Sequence, residues 1–192
     1  MIAISGPKGS GKDTVGQIIQ QLTPQSRTIA YADPIKRVIQ HLFDLNPENN
    51  DQYDLFKRTS VHYQLNGYLD NGVEGRHLVR EIGMLMRSYD ENQFTRYVEE
   101  QIKLNPSKLW IVTDMRFNNE LISLRKLNAT IVQVVRPGYK FDGHATETGF
   151  SDDVFDYTIV NDGNMDDLTR HVEDVLDDIL LKWSCDETHL GT

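Results

Sequence analysis

The sequence predicts an α/β fold, in which five parallel strands form a doubly wound sheet with helices on both faces. Short apolar or β-branched segments alternate along the chain with segments whose apolar residues recur at helical spacing. Strands that alternate with helices form parallel sheets, and the helices cover both faces. Residues 44–75 are polar and interrupt this alternation, so they predict either an irregular, partly helical insertion or a disordered connector, and the sequence favours neither.

The expected strands are bounded by Gly, Pro, Asn or Asp. They are Ile2–Ser5, Thr28–Ala32, Leu109–Asp114, Thr130–Arg136 and Tyr157–Asn161. The segments between them predict helices at Lys12–Leu22, Pro34–Leu42, Arg76–Ser88, Glu91–Leu104, Phe117–Leu127 and Met165–Trp183. Proline is favoured in the first turn of a helix, which supports a start near Pro34. Residues 184–192 are predicted to form a tail.

The length and composition predict one globular domain across residues 1–192. Hydrophobic residues make up 39% and charged residues 26% of the chain, which is a globular balance. No apolar run reaches the ~18–20 residues that span a membrane, and the N-terminal residues lack the features of a signal peptide. We therefore expect a cytoplasmic protein that does not bind membranes. Cys185 is the only cysteine, which excludes an intrachain disulfide.

The net charge of −9 bears on the kind of partner that the chain binds. Proteins that bind long nucleic acids usually carry excess positive charge, because phosphate contacts dominate their affinity. The acidic balance therefore argues against a polynucleotide partner. It does not exclude a single nucleotide, which needs only a few local cations. The chain could also form a homodimer.

The strongest motif follows the first expected strand and opens the first helix, at Gly6–Thr14. Glycines at this spacing let backbone amides surround phosphate oxygens at a helix N-terminus, and the lysine reaches the β- and γ-phosphates. The motif predicts binding of ATP. Asp13 replaces the usual metal-binding hydroxyl and is the expected Mg²⁺ ligand. The residues expected to bind the nucleotide here are Gly6, Lys8, Gly9, Ser10, Gly11, Lys12, Asp13 and Thr14.

Acidic residues at two other strand ends are candidates for a site. Asp114 and Arg116 follow one strand, and ligands of parallel sheets bind at this edge. Alternatively, Asp114 caps the next helix and Arg116 lies on the surface. Asp33 and Lys36 follow another strand, where they could orient and neutralise a phosphate. The pattern of Asp followed by Pro slightly favours an N-cap role for Asp33, although one side chain can do both.

Two further loops and one helix carry polar residues that suit a nucleotide. Residues 137–150, with Arg136 before them, predict a lid-like loop that closes over the triphosphate and excludes water, although a local surface hydrogen bond is the commoner role for a pair such as His144 and Glu147. Asn161 and Gly163 lie in a turn that could contact adenine, or could form an ordinary helix start. The expected helix after the insertion carries Arg76, Arg80 and Arg87, which could hold an anionic substrate or remain solvated.

These motifs together resemble the phage deoxynucleoside monophosphate kinase family. The resemblance includes Asp33-Pro34-Ile35-Lys36, Asp114-Met115-Arg116, the run from Ala129 to Gly138, His144 with Thr146-Glu147 and Gly149, and Ile159–Gly163. It covers most of the chain except the insertion. The resemblance implies a P-loop kinase fold that transfers the γ-phosphoryl group of ATP to a deoxynucleoside monophosphate. The insertion would cover the substrate, within a monophosphate-binding region at residues 44–90.

The resemblance also implies roles for individual residues. It puts Lys12 and Asp13 at the phosphates and Mg²⁺, and it puts Asn161–Gly163 near adenine. The expected catalytic residues are Lys12, Asp33, Asp114 and Arg116. The expected substrate-binding residues are Asp33, Lys36, Arg80, Arg87, Arg116, His144 and Glu147. Compared with the family, the chain is short in the region that covers the substrate base. The resemblance therefore implies the reaction but does not identify which bases are accepted.

Two alternatives remain at this point. Animal-type phosphomevalonate kinases show a related pattern and also phosphorylate a phosphate monoester, but Arg136-Pro137-Gly138 and His144–Glu147 favour the nucleotide family. A nucleotide-binding protein without turnover is the second alternative. The clustering of arginines and acids at several strand ends argues against it.

Overall fold

The computed structural model describes residues 1–61, 73–106, 108–140 and 150–189. The chain divides into two compact units. The first comprises Met1–Ala30 and Val98–Thr192, and the second comprises Tyr31–Tyr97. The expected monophosphate-binding region, residues 44–90, falls inside the second unit.

Seven strands and seven α-helices are formed by the described residues. The strands are β1 (Ile2–Ser5), β2 (Arg27–Ile29), β3 (Ser60–Val61), β4 (Val73–Glu74), β5 (Trp110–Val112), β6 (Thr130–Val135) and β7 (Tyr157–Val160). The helices are α1 (Lys12–Leu22), α2 (Asp33–Leu42), α3 (Asn50–Arg58), α4 (Gly75–Tyr89), α5 (Gln93–Leu104), α6 (Asn118–Lys126) and α7 (Met165–His189). A short 3₁₀ helix covers Asp152–Val154. Helix α7 continues beyond Trp183, so part of the expected tail is helical.

The first unit contains a sheet of five parallel strands in the order β2–β5–β1–β6–β7. This confirms the predicted parallel α/β sheet. Strand β1 lies at the centre, with Ile2 paired to Ile111 on one side and to Thr130 on the other. Because all five strands run in one direction, their carboxyl ends meet at one edge. The residues that follow β1, β5, β6 and β7 therefore lie near one another.

Both faces of this sheet are covered. Ile2 and Ile4 point to one face and Ala3 to the other, because side chains alternate along a strand, and all three are 0% exposed. Apolar residues of α1 and α7 cover the face that contains Ile2 and Ile4. That core consists of Ile2, Ile4, Val15, Ile18, Ile19, Ile111, Val132, Val134, Ile159, Leu168, Val172, Leu176 and Ile179. Their burial is the main stabilising term for the unit, at roughly 25 cal/mol per Å².

The second unit is built mainly from α2, α3 and α4. The rings of Phe43 and Phe56 lie 4.6 Å apart, and Phe56 packs against the start of α4. A Cβ at Gly75 would lie 2.2 Å from the Phe56 carbonyl oxygen, so only glycine permits this approach. Asn49 caps α3 by accepting from the amides of Asp51 and Gln52. The described part of the insertion is therefore partly helical, which agrees with the first of the two interpretations.

The antiparallel pair β3–β4 in the second unit was not predicted. Two-residue strands are too short to show a period in the sequence, and this explains the omission. Strand β2 ends at Ile29, three residues before its expected end, because Ala32 already serves as the N-cap of α2. In the part of the chain that the structure describes, no helix has the length and apolarity needed to cross a bilayer.

Candidate active site

The turn between β1 and α1 forms the loop that the glycine motif predicts, and we call Gly6–Thr14 the phosphate loop. Gly9 and Gly11 adopt left-handed backbone conformations, with φ of 82° and 97°. Side chains other than glycine rarely adopt this conformation. The amide of Ser10 donates to the carbonyl of Pro7 at 3.1 Å, which tightens the turn. Gly11 occupies the N-cap position of α1, so the loop ends at a helix N-terminus that favours anions.

The interior of the phosphate loop fits a bound phosphate. Ser10 is 0% exposed, yet its hydroxyl has no hydrogen-bond partner among the described residues. A buried hydroxyl without a partner costs free energy, and a phosphate oxygen would satisfy it. Lys12 is also buried and brings a positive charge to the same loop. The residues present therefore match the chemistry of an anionic ligand.

Asp13 and Thr14 follow Lys12 in the first turn of α1. Asp13 is exposed and Thr14 is half-buried. Their carboxylate and hydroxyl oxygens are the kind of ligand that Mg²⁺ prefers, so the donor set fits this ion. A carboxylate in the first turn is also favoured by the helix dipole.

The segment after β5 is held against the start of the phosphate loop. The Ser5 hydroxyl, at the end of β1, donates to the carbonyl of Met115 at 3.1 Å in a buried position. Asp114 and Arg116 flank Met115, and both are half-buried. The structure thus places this pair beside the strand that leads into the phosphate loop.

The proposed alternative, in which Asp114 caps the next helix, is wrong. Helix α6 begins at Asn118 with Phe117 at the N-cap position, and Glu120 is the carboxylate that binds the amides just before the helix. Glu120 is 0% exposed and accepts from the amides of Arg116 at 2.7 Å and Phe117 at 3.1 Å. Sequence reasoning missed this residue. A glutamate three residues after a helix N-cap is a recognised start signal, and it could have been found.

The turn that follows β6 brings Arg136 to the phosphate loop. The Tyr139 amide donates to the Arg136 carbonyl at 3.1 Å, with Pro137 second and Gly138, at φ 82°, third in the turn. This is the residue pattern of a type II turn. Arg136 Nη1 donates to the Gly9 carbonyl at 3.4 Å, and its guanidinium lies 4.9 Å from the centre of the Tyr139 ring. Tyr139 was not among the predicted site residues.

The turn that follows β7 also reaches the phosphate loop. The Asn161 side chain donates from Nδ2 to the Ser10 carbonyl at 2.8 Å. Gly163 lies further along and is exposed. Asn164 caps α7, because its Oδ1 accepts from the amides of Asp166 and Asp167. The turn therefore serves both as a helix start and as a support for the phosphate loop.

The second unit contains Asp33 and Lys36, which lie on α2. The expected N-cap role of Asp33 is wrong, because Ala32 holds the N-cap position and makes no side-chain cap bond. The two residues instead line a cleft of about 610 Å³. The cleft is lined by Asp33, Lys36, Arg37, Gln40, His41, Asp44, Leu45 and Pro47. Most of these share one face of α2, and their helical spacing could have revealed the cleft.

Two cations of this cleft contact neighbouring polar and aromatic side chains, Lys36 with Asn50 and Tyr53, and Arg37 with Tyr97. The Lys36 ammonium donates to the Asn50 side chain and lies 5.5 Å from the centre of the Tyr53 ring. Arg37 donates to the Tyr97 hydroxyl at 2.5 Å. Burial raises the pKa of Tyr97 above its ordinary value, and the charge of Asp33 raises it further, whereas Arg37 lowers it. Tyr97 therefore stays protonated at neutral pH.

The remaining predicted residues have less distinctive positions. Arg87, on α4, places its guanidinium 4.6 Å from the centre of the Phe94 ring, and Arg80 is half-buried on the same helix. His144 and Glu147 lie outside the described residues, as does most of the predicted lid-like loop.

Comparison with known proteins decides the family. A family model described as deoxynucleotide monophosphate kinase matches residues 1–99 and 81–172. The chain belongs to the deoxynucleotide monophosphate kinase family. This membership confirms the resemblance seen in the motifs, and the chain has deoxynucleotide monophosphate kinase activity, which makes it a phosphotransferase. Kinases of this family use ATP.

Two relatives illustrate the range of similarity within the family. A protein of Acanthamoeba polyphaga mimivirus, whose assignment as a deoxynucleotide monophosphate kinase is provisional, is 24% identical. That match covers 92% of this chain and 96% of the viral protein. The deoxynucleotide monophosphate kinase of Enterobacteria phage T4 is 38% identical over 68 residues. That match covers 35% of this chain and 28% of the phage protein.

A solved structure supports the fold assignment. The dephospho-CoA kinase from Campylobacter jejuni matches with a TM-score of 0.52 and 14% identity. The match covers 93% of this chain and 96% of that one. At this level of identity the likeness concerns the fold, and it agrees with the predicted P-loop kinase fold.

Proposed function

We propose that the phosphate loop binds the triphosphate of ATP, and that Lys12 neutralises the phosphate that is transferred to a deoxynucleoside monophosphate. The observation that carries this proposal is the buried Lys12 beside a buried Ser10 hydroxyl that has no partner among the described residues. Such a cation and donor favour an anion strongly, because little water screens them. Arg136 would support the same site through its contact with Gly9.

In the proposed reaction an oxygen of the acceptor monophosphate attacks the γ-phosphorus of ATP. The new P–O bond forms as the bond between the γ-phosphorus and the β–γ bridging oxygen breaks, so ADP leaves and a deoxynucleoside diphosphate results. Charge neutralisation and alignment provide most of the catalysis in such transfers. Lys12 would stabilise the charge on the transferred group.

Mg²⁺ is expected to be held at Asp13, with Thr14 as a second candidate. The ion would neutralise phosphate charge, which is its usual role in phosphoryl transfer. Titration of Mg²⁺ against activity tests the assignment. Asp13→Ala should raise the Mg²⁺ concentration at half-maximal activity about three- to tenfold, because one charged ligand is lost. An unchanged half-saturation would show that Asp13 is not the ligand.

The acceptor is expected to bind through Arg116, whose planar guanidinium can contact two phosphate oxygens at once. Asp114 would orient the phosphates or Mg²⁺-bound water at the same strand end. The other predicted acceptor residues remain predictions, each testable by its own variant. They are Asp33, Lys36, Arg80, Arg87, His144 and Glu147.

A coupled assay of ADP release with a panel of acceptors tests the proposed acceptor. The panel contains the common deoxynucleoside monophosphates, their ribonucleotide counterparts, phosphomevalonate and DNA with 5′-hydroxyl ends. Turnover should occur with one or more deoxynucleoside monophosphates, and it should not occur with phosphomevalonate or with DNA 5′-hydroxyl ends. Turnover with phosphomevalonate or DNA ends alone would contradict the proposal. The predicted homodimer is tested separately, by measuring mass in solution with light scattering.

A further inference from the structure

We infer that the Asn161 side chain positions the phosphate loop, and that its contribution to ATP binding does not depend on the base. The inference deepens the proposed function and rests on it, because it concerns the same loop. The resemblance had placed Asn161 near adenine. In the structure its Nδ2 donates to the Ser10 carbonyl at 2.8 Å, which gives this side chain a second possible role.

Asn161 is itself held at a fixed place in the sheet. It follows β7 directly, and its backbone amide donates to the Val135 carbonyl at 2.8 Å, which extends the pairing of β7 with β6. The residue is half-buried. Its side chain therefore starts from a rigid strand end and reaches a loop about 150 residues earlier in the sequence.

The hydrogen bond to Ser10 determines which way one amide of the phosphate loop points. A peptide unit is planar, and no peptide bond among the described residues is cis. The N–H of Gly11 therefore points opposite to the Ser10 carbonyl, away from Asn161. Arg136 donates to the Gly9 carbonyl. The N–H of the same peptide unit belongs to Ser10, and it donates to the Pro7 carbonyl. Side chains from two strand ends thus anchor successive carbonyls of the loop.

Gly11 and Asn161 fit each other sterically. A Cβ at Gly11 would lie 2.5 Å from Asn161 Nδ2, which is closer than real Cβ contacts allow. Gly11 therefore does more than permit a positive φ, since it also leaves the space that Asn161 occupies. A fixed loop loses less entropy when the phosphates bind, so anchoring of this kind raises affinity for any ligand with the same phosphates.

Binding of inorganic tripolyphosphate, which has phosphates but no base, tests the inference. In Asn161→Ala, its inhibition constant against ATP should rise about three- to tenfold, as expected for loss of one hydrogen bond. The KM for ATP should rise by the same factor. The ratio of kcat/KM for ATP to that for GTP should stay unchanged.

Asn164→Ala is the matched control, because Asn164 caps α7 and has no contact with the phosphate loop among the described hydrogen bonds. This variant should lower Tm and leave tripolyphosphate inhibition unchanged. If Asn161→Ala does not fold, Asn161→Ser provides the same test, since its shorter side chain cannot reach the Ser10 carbonyl.

Two results would overturn the inference. One is unchanged tripolyphosphate inhibition in Asn161→Ala, and the other is an altered ratio of ATP to GTP use, which would mean that Asn161 reads the base. The failure of the proposed function looks different. In that case tripolyphosphate would not compete with ATP even in the unaltered protein.

Discussion

The two units of the molecule differ in how completely they bury their apolar side chains. In the first unit, residues of the central strands such as Ile2, Ile4 and Ile111 are 0% exposed. Both units expose some large apolar side chains, such as Leu104 at 73% in the first and Leu55 at 64% in the second, but the second unit buries a smaller share: 6 of its described apolar residues are buried, against 22 in the first unit. Regions with fewer buried apolar contacts open at lower free energy. We therefore expect the second unit to be the less stable part of the protein.

This difference matches the roles that we propose for each unit. The phosphate loop lies in the first unit, on strands and a helix with a closed core. The cleft of α2, which contains Asp33 and Lys36, lies in the less buried second unit. Substitution of Lys12 in the phosphate loop should lower the rate of transfer to every acceptor, whereas substitution of Lys36 in the cleft should weaken binding of the acceptor alone. The following predictions test this contrast.

The largest effect is expected for Lys12→Ala. Loss of the charge that stabilises the transferred phosphate should lower kcat about a hundred- to a thousandfold with every acceptor. Circular dichroism should show an intact fold. Lys126→Ala removes an exposed lysine on α6 and serves as the control, with unchanged kcat. Near-normal kcat in Lys12→Ala would mean that phosphate transfer occurs elsewhere.

Arg116→Lys tests whether the first unit also binds the acceptor. Lysine keeps the charge but cannot reproduce the two-point contact of a guanidinium. We expect the KM for the monophosphate to rise about ten- to a hundredfold, and the KM for ATP to change much less. Steady-state kinetics with each substrate varied in turn measures both constants. The control is Arg27→Lys on the exposed edge strand.

If Arg116→Lys changed only the KM for ATP, Arg116 would bind ATP and not the acceptor monophosphate. The contrast between the units would then be sharper, because acceptor recognition would depend on the second unit alone.

A smaller effect is expected for Lys36→Ala. The cleft is partly open to solvent, so water and salt screen the charge that is lost. The KM for the monophosphate should rise about three- to tenfold, while kcat and the KM for ATP stay constant. Lys103→Ala, an exposed position on α5, controls for the change in net charge. An equal loss of activity in both variants would show that the cleft has no specific role.

The smallest effect on catalysis, and a direct test of unequal stability, comes from two glycines of α4. Gly75→Ala would place a methyl group 2.2 Å from the backbone oxygen of Phe56, which cannot move easily. We expect the free energy of unfolding to fall by about 1–3 kcal/mol. Gly83→Ala would meet only the Ile35 Cδ1 atom at 2.9 Å, the end of a flexible side chain, and should be nearly neutral.

Hydrogen exchange shows which part of the protein Gly75→Ala destabilises. Amides of α3 and α4 should exchange faster in Gly75→Ala, while those of β1 and β6 should keep their rates. Equal acceleration in both units would contradict the expectation that they differ in stability, because it would mean that they unfold together.

The sequence by itself determined the features that depend on neighbouring residues. The buried strands β1 and β6, the glycines of the phosphate loop and the helix start near Pro34 all follow from local composition and spacing. Local sequence patterns gave a wrong prediction where one pattern was compatible with two roles for the same residue. Asp33 follows a strand and precedes proline, as an N-cap would, yet the N-cap proved to be Ala32.

Only the tertiary structure decided which side chains support the site. Ser5 and Met115, and Asn161 and Ser10, form hydrogen bonds across 110 and 151 residues of sequence. No periodicity or motif reports such a pair, because the contact arises only when parallel strands bring their carboxyl ends to one edge. The cleft of α2 likewise needs both a helix face and the loop that follows it. The sequence therefore identified the phosphate-binding motif, and the packing of the strands determined which side chains hold that loop in position.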